Sequence, residues 1–448
     1  MAKAERLAGT ALGGADVRID FEGEQLKARE GETLAAALLA NGVEVFSRAV
    51  KYHRARGPWC LSGRCSQCLV RVDGEPNVTA CTTRVREGMR VERQNAFPSV
   101  NHDVFATIDW MYPRGLDHHS LFAGVPVVER VVAKVAREMA GLGNLPDAAR
   151  RPGASFASHE TEVLVVGAGA AGLAAARAAA DAGAQVTVVE EQPAPGGRLR
   201  TGLALPDAPP AGWVEEQVDR LRAKGAHLVT SGFAFGLYRE RGTLVPVRTA
   251  ERRLLVVQPR AVVVAAGSAE PLPPFGNNDL PGVFAGRALA RLITVEGVLP
   301  GRRAVVAGEG PEASALADLL RKAGAEVVAE TGLRKGPKGH LVKARGRSAV
   351  ADAVIADAAG QERKVPCDLI AIAGSTSALV DLARHAGAHV TFRDGHFGVV
   401  VDEAGGTGIP GVFACGEVTG PCSANEAAAQ GERAGRAAAA FAAAGGER

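Results

Sequence analysis

The feature that most constrains how this chain can fold is a glycine-rich turn between a strand-like and a helix-like segment. Residues 162–166 (Glu-Val-Leu-Val-Val) are typical of a buried parallel strand, and the turn Gly167-Ala-Gly169-Ala-Ala-Gly172 follows at once. An alanine-rich segment and a second apolar run over residues 185–189 come next. This order predicts a βαβ unit, and therefore an α/β fold with a parallel sheet.

The residues of this turn have separate tasks if the unit binds a dinucleotide. Gly167 makes the tight turn, Gly169 lets a pyrophosphate approach the backbone, and Gly172 lets helix and strand pack closely. Glu190 follows the second strand and can accept hydrogen bonds from both adenosine ribose hydroxyls. A chance glycine-rich turn in an unrelated α/β domain is the alternative, but the strand, helix, strand and acid context favours a dinucleotide.

Three further motifs decide which dinucleotide is expected. They are Pro195-Gly-Gly-Arg198, the strand-like Val262–Gly267, and Gly411–Glu417. The motifs resemble the remaining signatures of the two-dinucleotide-binding flavoproteins, and the resemblance implies FAD. In that family the last motif ends in Asp, which holds a ribityl hydroxyl, whereas Glu417 is one methylene longer. The FAD contacts that follow are Gly167, Gly169, Gly172, Glu190, Gly197, Arg198, Gly267, Gly416 and Glu417.

Residues 303–330 repeat the βαβ pattern, with the turn Gly308-Glu-Gly310-Pro-Glu-Ala313 after the first strand. Glu330 in the second strand argues for a free 2′-hydroxyl, and so for NAD before NADP. Glu309 and Glu312 lie in or beside the turn, where negative charge repels a pyrophosphate. A degenerate fold that binds weakly, or one that holds another adenine nucleotide, is therefore the alternative. The predicted contacts of this second nucleotide are Gly308, Gly310 and Glu330.

Four of the seven cysteines fall in one short stretch with the spacing C-x4-C-x2-C-x12-C. Three thiolates on a tight loop and a fourth near a strand end suit two bridged irons, because each iron takes two protein sulfurs. The small residues Ser62, Gly63 and Ser66 let backbone N–H groups approach such a cluster. A four-cysteine zinc site and a chance grouping are the alternatives. The predicted ligands of a [2Fe-2S] cluster are Cys60, Cys65, Cys68 and Cys81.

The cysteines lie within a predicted β-grasp domain. A strand-like alternation over residues 17–21, a turn at 22–24 and a helix-forming segment that ends at Asn41-Gly42 give strand, strand, helix. The whole chain is then an α/β two-dinucleotide-binding flavoprotein with nested Rossmann-like folds and an N-terminal ferredoxin-like domain. The predicted boundaries are 1–105 for the [2Fe-2S] domain, 106–158 for a linker, 159–290 and 390–448 for a split FAD domain, and 291–389 for the inserted second nucleotide-binding domain.

Composition excludes several classes of protein. Lys plus Arg number 52 against 49 Asp plus Glu, and aromatic residues make up 4%, so no large basic or stacking surface for nucleic acid is expected. No apolar run predicts a secretory signal or a transmembrane helix. We therefore expect a cytoplasmic protein, associated with a membrane only through partners. Cys367, Cys415 and Cys422 are isolated, so disulfide-reductase chemistry is not expected.

The chain resembles the α subunit of heterotetrameric sarcosine oxidase over nearly its whole length. The resemblance is carried by Phe46–Gly57, Pro76-Asn77, Gln94–Ser99 and Ala140–Pro146. The four cysteines, which the N-terminal domain of that subunit has lost, make the chain more similar to the hydrogen cyanide synthase and the proline or hydroxyproline dehydrogenase systems. In those systems a [2Fe-2S] component and an FAD component work beside a separate amine-oxidising flavoprotein.

This resemblance implies an electron-transfer subunit. A partner of the glycine or D-amino-acid oxidase type would dehydrogenate an amine, imino acid or amino acid, and this chain would receive the electrons and pass them to a small-molecule acceptor. The motifs agree, because a flavin with a one-electron cluster converts paired electrons into single ones. No catalytic acid or base is assigned in this chain. The alternatives are a stand-alone NADH:acceptor oxidoreductase and a non-catalytic adaptor with a structural flavin.

Overall fold

The computed structural model describes residues 4–8, 14–111, 156–204, 207–240, 242–249, 253–374 and 376–445. Most of the predicted linker over 106–158 lies outside them. The chain forms two compact units, Met1–Arg150 with Leu272–Gly374, and Arg151–Pro271 with Ser375–Arg448. The inserted segment of the first unit is thus 272–374, where the sequence predicts 291–389. The difference arises because residues 272–302 precede the second glycine turn and carry no motif.

The strands of the described residues are, in chain order, β1 (Glu5–Arg6), β2 (Asp16–Phe21), β3 (Glu24–Arg29), β4 (Ser47–Arg48), β5 (Ala55–Arg56), β6 (Leu69–Val72), β7 (Glu75–Thr79), β8 (Arg90–Glu92), β9 (Phe156–Val166), β10 (Val186–Val189), β11 (His227–Val229), β12 (Phe233–Ala234), β13 (Val245–Arg248), β14 (Leu254–Val264), β15 (Ser268–Ala269), β16 (Val283–Ala285), β17 (Val298–Leu299), β18 (Arg303–Gly308), β19 (Glu326–Thr331), β20 (His340–Arg345), β21 (Asp352–Ala356), β22 (Glu362–Pro366), β23 (Leu369–Ala373), β24 (Ser377–Ala378), β25 (Val390–Arg393), β26 (His396–Val399) and β27 (Val412–Ala414).

The α-helices of the described residues are α1 (Leu34–Ala40), α2 (Thr107–Met111), α3 (Ala170–Asp181), α4 (Trp213–Ala223), α5 (Gly286–Thr294), α6 (Pro311–Lys322), α7 (Asp381–His385) and α8 (Ala424–Ala443), with short 3₁₀ helices over Val104–Ala106, Gly197–Thr201 and Gly416–Val418.

The N-terminal part of the first unit is a five-stranded mixed sheet in the order β3-β2-β8-β6-β7. Strands β2 and β3 form the predicted antiparallel hairpin, and β2 pairs in parallel with β8. Helix α1 is capped by Thr33, whose side chain accepts from Ala36 N, and it buries every residue from Leu34 to Leu39. A hairpin, a buried helix and a parallel return strand are the predicted β-grasp.

The inserted part of the first unit contains the parallel sheet β16-β23-β18-β19. Helix α6 follows β18 and packs Leu316 and Leu320, both fully buried, towards this sheet. A bulge interrupts the pairing of β18 with β19, so that Ala304 pairs with Val327 and Val305 with Ala329. This sheet is the predicted second nucleotide fold.

The cluster-binding segment is docked on the inserted segment within the first unit. Strand β1 pairs with β17, and Thr33 N, at the start of α1, donates to Glu296 Oε2 at 3.1 Å. Arg56 forms an ion pair with Asp279, and Ala285 N donates to the carbonyl of Trp59, which directly precedes Cys60. The cysteine loop is therefore anchored to the end of β16.

The buried Glu296 is expected to make the free energy of unfolding depend on pH. The side chain is 4% exposed, and burial raises its pKa above the usual 4.5. The folded state then binds the proton more tightly than the unfolded state, so the stability from this group falls as pH rises from 4.5 through the folded pKa. Glu296→Gln keeps an acceptor for Thr33 N and should gain stability relative to wild type over that range, measured as the urea midpoint against pH. A constant difference between the two proteins would contradict this, and the exposed Glu326→Gln is the control.

The second unit is built on the parallel strands β11-β10-β9-β14-β27, with β13 and β12 continuing antiparallel from β14. Helices α3 and α8 pack against each other with unusual closeness. A Cβ built on Gly431 would lie 2.1 Å from the Ala171 carbonyl oxygen, and one on Gly435 would lie 2.1 Å from that of Ala175. Only glycine fits at these two positions of α8, so the helix is fixed directly behind the first glycine turn.

Among the described residues, no helix combines the length and the apolar character needed to cross a bilayer.

Candidate cofactor sites

The first glycine turn has the tight geometry that a dinucleotide fold requires. Gly167 has φ +100°, and a Cβ there would lie 2.3 Å from the Ala265 carbonyl oxygen. A Cβ on Gly172 would lie 1.8 Å from the Gly167 carbonyl oxygen. A Cβ on Gly169 would meet no heavy atom within 4 Å. The two outer glycines are thus needed for packing, whereas the middle one leaves space beside the start of α3.

The carboxylate of Glu190 is held at the end of β10 and faces this turn. The residue is 5% exposed; its Oε2 accepts from Ala168 N at 2.7 Å and its Oε1 from Gln192 N at 2.8 Å. Backbone N–H donors stabilise the ionised carboxylate. Glu190 therefore occupies the position from which a dinucleotide fold binds the adenosine ribose.

The loop after Glu190 lies against the same turn. Gly196 N donates to the Ala168 carbonyl at 2.7 Å, and a Cβ on Gly197 would lie 3.1 Å from Gly169 Cα. Gly197 has φ +52° and begins the 3₁₀ helix that carries Arg198. This close approach brings Arg198 to the nucleotide side of the sheet in the second unit.

Arg198 and Glu417 form an ion pair in the second unit. Arg198 Nη1 donates to Glu417 Oε1 at 2.6 Å, and the two side chains are 17% and 12% exposed. Ser268 Oγ donates to Glu417 Oε2 at 2.9 Å. The extra methylene of glutamate is accommodated because both carboxylate oxygens find donors. The site thus holds a fixed, hydrogen-bonded carboxylate where the last flavoprotein motif ends.

Gly416, Gln430 and Gly267 complete this side of the site. A Cβ on Gly416 would lie 2.7 Å from Ala171 Cβ, so the last motif packs on the first turn of α3. Gly416 N donates to Gln430 Oε1 at 2.9 Å. The sequence analysis missed Gln430, since a single glutamine within a helix carries no signal by itself. Gly267, with φ +72°, accepts from Leu379 N and turns the chain after β14.

The four cysteines of the N-terminal loop are brought together in the first unit. The thiols of Cys60 and Cys65 are hydrogen-bonded to each other, as are those of Cys68 and Cys81, and Cys60 also contacts Cys81. The hydrogen bond from Cys65 lowers the pKa of Cys60, and the same bond raises the pKa of Cys65. The four sulfurs therefore lie together as one group.

The backbone of this loop is shaped around the sulfurs. Leu61 and Ser66 have positive φ values of 45° and 54°, which non-glycine residues adopt only when the surrounding structure imposes them. Gly63 N donates to Cys81 Sγ at 3.2 Å and Ser62 N to Cys60 Sγ at 3.5 Å. Such N–H groups stabilise the negative charge of a thiolate-bound cluster.

The donor set fits a two-iron cluster better than one metal ion. Within the described ranges, no three His, Cys, Asp or Glu side chains are placed to hold a single ion. Two irons need two pairs of thiolates, and Cys60 with Cys65 and Cys68 with Cys81 are neighbours that can supply them.

The second glycine turn is packed like the first but differs in detail. A Cβ on Gly308 would lie 2.0 Å from the Ala373 carbonyl oxygen, matching Gly167 and Ala265. Gly310 has φ +81° where Gly169 has −75°, and Pro311 removes one N–H from the start of α6. Arg287 pairs with Glu312 at 2.5 Å, so the charge of that glutamate is neutralised.

Glu330 does not lie where Glu190 lies. Val166, which precedes the first turn, pairs with Val189, and Glu190 is the next residue. Ala307, which precedes the second turn, pairs with Thr331, so the equivalent position is Gly332. Glu330 is exposed and pairs instead with Arg321 on α6. The side chain of Glu330, which the sequence predicts to contact the ribose, is therefore not at the position that Glu190 has in the first fold.

Two of the cysteines outside the loop are core residues. Cys367 and Cys415 are buried, and burial raises the pKa of each to about 12, so both stay neutral thiols. None of the seven cysteines forms a disulfide. Cys415 is thus a core residue, as its small size and place after β27 predict.

Comparison with known families gives matches that cover both candidate sites. Residues 161–431 match the pyridine nucleotide-disulphide oxidoreductase family, and residues 14–96 match the 2Fe-2S iron-sulfur cluster binding domain. The first match contains both glycine turns and the second contains all four loop cysteines. These matches support FAD and a [2Fe-2S] cluster as the cofactors of an oxidoreductase.

The chain is also similar to curated proteins. It is 31% identical over 408 residues to the sarcosine oxidase subunit alpha of Rhizobium meliloti, which covers 82% of this chain and 40% of that subunit. It is 40% identical over 84 residues to the hydrogen cyanide synthase subunit HcnA of Pseudomonas aeruginosa, covering 19% of this chain and 80% of HcnA. The expected resemblance is confirmed, although the chain spans less than half the length of the sarcosine oxidase subunit.

A solved structure shares the fold. The L-proline dehydrogenase from P. horikoshii aligns with a TM-score of 0.71 at 22% identity, covering 97% of this chain and 74% of that one. The nested fold with an N-terminal iron–sulfur domain is therefore confirmed. With the family match extending over both glycine turns and the motif at Glu417, the chain belongs to the pyridine nucleotide-disulphide oxidoreductase family.

Proposed function

We propose that this chain is the FAD and [2Fe-2S] electron-transfer subunit of a heteromeric dehydrogenase or oxidase of amines, imino acids or amino acids. Its partner would be an amine-oxidising flavoprotein of the glycine or D-amino-acid oxidase type, and electrons would leave to a small-molecule acceptor. The similar proteins named as subunits of sarcosine oxidase and hydrogen cyanide synthase support this assignment.

The observation that carries the proposal is the presence of two redox sites in one chain. One chain holds the cysteine loop at Cys60–Cys81 and the flavoprotein site around Glu190 and Glu417. Cys367 and Cys415, outside the loop, are buried core thiols. Two redox sites of this kind suit a chain that accepts electrons from a partner, which would oxidise the substrate.

Each group of residues has a task in this function. Bound flavin accepts electrons in pairs and a bound [2Fe-2S] cluster carries them singly. Gly169 leaves the approach to the start of α3 open, and Glu190 orients the adenosine ribose. Arg198 holds the Glu417 carboxylate in place. The N–H groups of Ser62 and Gly63 stabilise charge on the sulfurs.

The stand-alone NADH:acceptor oxidoreductase is the second candidate, with NAD or another adenine nucleotide at the second fold. Two observations favour it: the second turn keeps the close packing of Gly308 against Ala373, and Arg287 neutralises Glu312. Pro311 opposes it, because the start of α6 has one N–H fewer to offer a pyrophosphate.

An anaerobic titration of the chain, with flavin and iron bound, separates these functions. We expect excess NADH to leave the visible absorption of flavin and cluster unchanged, while dithionite, the control, bleaches both. Coexpression with an amine-oxidising flavoprotein should then allow proline or sarcosine to bleach them. Prompt bleaching by NADH alone would instead make the chain a reductase in its own right.

A further inference from the structure

Residues 334–364 concentrate the positive charge of the chain. They contain eight Lys and Arg against three Asp and Glu, whereas the whole chain has 52 against 49. The rest of the sequence therefore carries slightly more acidic than basic residues. All eight cations are exposed, and they lie in the loop before β20, on β20 and β22, or in the turn after β20. We call these eight side chains the basic surface.

The three-stranded sheet β20-β21-β22 presents cations on its outer face. Its inner face is built from buried apolar residues, which are Leu341, Ala344, Ala353, Ile355 and Val365. The strand register places Lys343, Val354 and Lys364 in one row of the other face, and Arg345 beside Asp352 in the next row. Asp352 is 8% exposed and pairs with both Arg345 and Lys364, at 3.7 and 3.2 Å. One buried carboxylate thus holds two cations of this face in place.

The other six cations of the basic surface have no acidic partner. Within the part of the chain that the structure describes, no ion pair includes Arg334, Lys335, Lys338, Lys343, Arg347 or Arg363. Several exposed arginines elsewhere in the first unit are paired, as Arg321 is with Glu330 and Arg86 with Asp73. Uncompensated charges of one sign attract ligands of the opposite charge. The basic surface is therefore placed to bind an anionic partner.

The composition of the basic surface indicates which anionic partner it fits. Among the described residues of 272–374, no large apolar side chain is exposed. Protein interfaces are centred on aromatic or apolar anchors, and single-stranded nucleic acid is bound by stacking on aromatic rings. The headgroups of anionic lipids form a continuous layer of negative charge, to which Lys and Arg bind without such anchors. An anionic lipid surface is therefore the partner that fits best.

We propose that the basic surface binds the chain peripherally to membranes that contain anionic lipids, through the phosphates of the headgroups. Each cation near such a membrane strengthens binding about five-fold, so several cations together give attachment without any segment in the bilayer. This binding goes beyond the electron-transfer function proposed above and does not depend on it.

The experiment is co-sedimentation of the full chain, with flavin and cluster bound, with vesicles of phosphatidylcholine that contain about 30% phosphatidylglycerol or none. We expect the chain to sediment with the anionic vesicles at about 0.1 M salt, to be released at about 1 M salt, and to stay in solution with the neutral vesicles. The double variant Lys343→Gln with Arg347→Gln removes two unpaired cations and should bind about twenty-fold more weakly.

The matched control is Arg18→Gln with Lys27→Gln, which removes two exposed cations that face each other on β2 and β3. It lowers the net charge by the same amount and should leave binding unchanged. Unaltered flavin and cluster absorption in both double variants checks that each is folded.

Four results would overturn the proposal. Wild type that does not sediment with anionic vesicles would refute it directly. Equal binding to neutral vesicles, or an equal loss in the control variant, would show that the binding does not come from the basic surface. Tighter binding of a short DNA duplex than of the anionic vesicles would assign the surface to nucleic acid instead. The electron-transfer proposal is tested without lipid and stands or falls separately.

Discussion

Replacing Cys68 by alanine is expected to give a chain that keeps its flavin but holds no [2Fe-2S] cluster. One iron would retain a single protein sulfur, from Cys81, and could not complete its coordination. Iron and acid-labile sulfide should fall from about two per chain to near zero. The signal of the reduced cluster in electron paramagnetic resonance should vanish with them, while the flavin absorption remains.

Cys367→Ala is the matched control for this result. Cys367 is also a buried cysteine of the first unit, but burial raises its pKa to about 12 and it lies outside the loop. Its replacement should leave both irons in place. Retention of the full cluster in Cys68→Ala, or its loss in Cys367→Ala, would show that the ligand set is wrong.

Gly169→Ala and Gly172→Ala are expected to separate flavin binding from folding. Gly169 has φ −75° and free space around a Cβ, so alanine should leave the apoprotein as stable as wild type. The new methyl group would block the pyrophosphate and lower FAD affinity by about a hundred-fold. Gly172→Ala would place a Cβ 1.8 Å from a carbonyl oxygen and should destabilise the apoprotein by about 1–3 kcal/mol.

The measurements are the flavin-to-protein ratio, FAD affinity and thermal unfolding of the apoprotein. Ala313→Gly changes the equivalent position of the second turn and should leave flavin content unchanged. Normal FAD affinity in Gly169→Ala would remove this turn from the flavin site. Equal stability of Gly172→Ala and wild type would mean that helix and turn are not packed as closely as described.

Local motifs predicted most of the architecture. Both βαβ units, the β2–β3 hairpin with α1, and the grouping of the four cysteines follow from short-range patterns of glycine, apolar residues and thiols. These patterns can be recognised in the sequence because each is formed by residues that lie close together along the chain. The same holds for Glu190, which directly ends the strand beside the first turn.

Features that depend on pairing between distant segments were not predictable. If the distance in sequence from Gly169 to Glu190 is applied to Gly310, the equivalent of Glu190 is Thr331. The bulge opposite Ala304 shifts the strand pairing by one residue, so the equivalent position in the structure is Gly332. The pair of Arg198 with Glu417 joins two distant motifs. Gly431 and Gly435 carry no signal until the partner helix α3 is known.

The position of α8 has a consequence for how the molecule is made. Strand β9 and helix α3 are synthesised long before α8, yet α8 supplies the close-packed face behind α3. During translation the face of α3 that packs on α8 therefore stays uncovered until the inserted segment and α8 have been synthesised. The contact of α3 with α8 is thus a late-closing, non-local one, and such contacts form slowly.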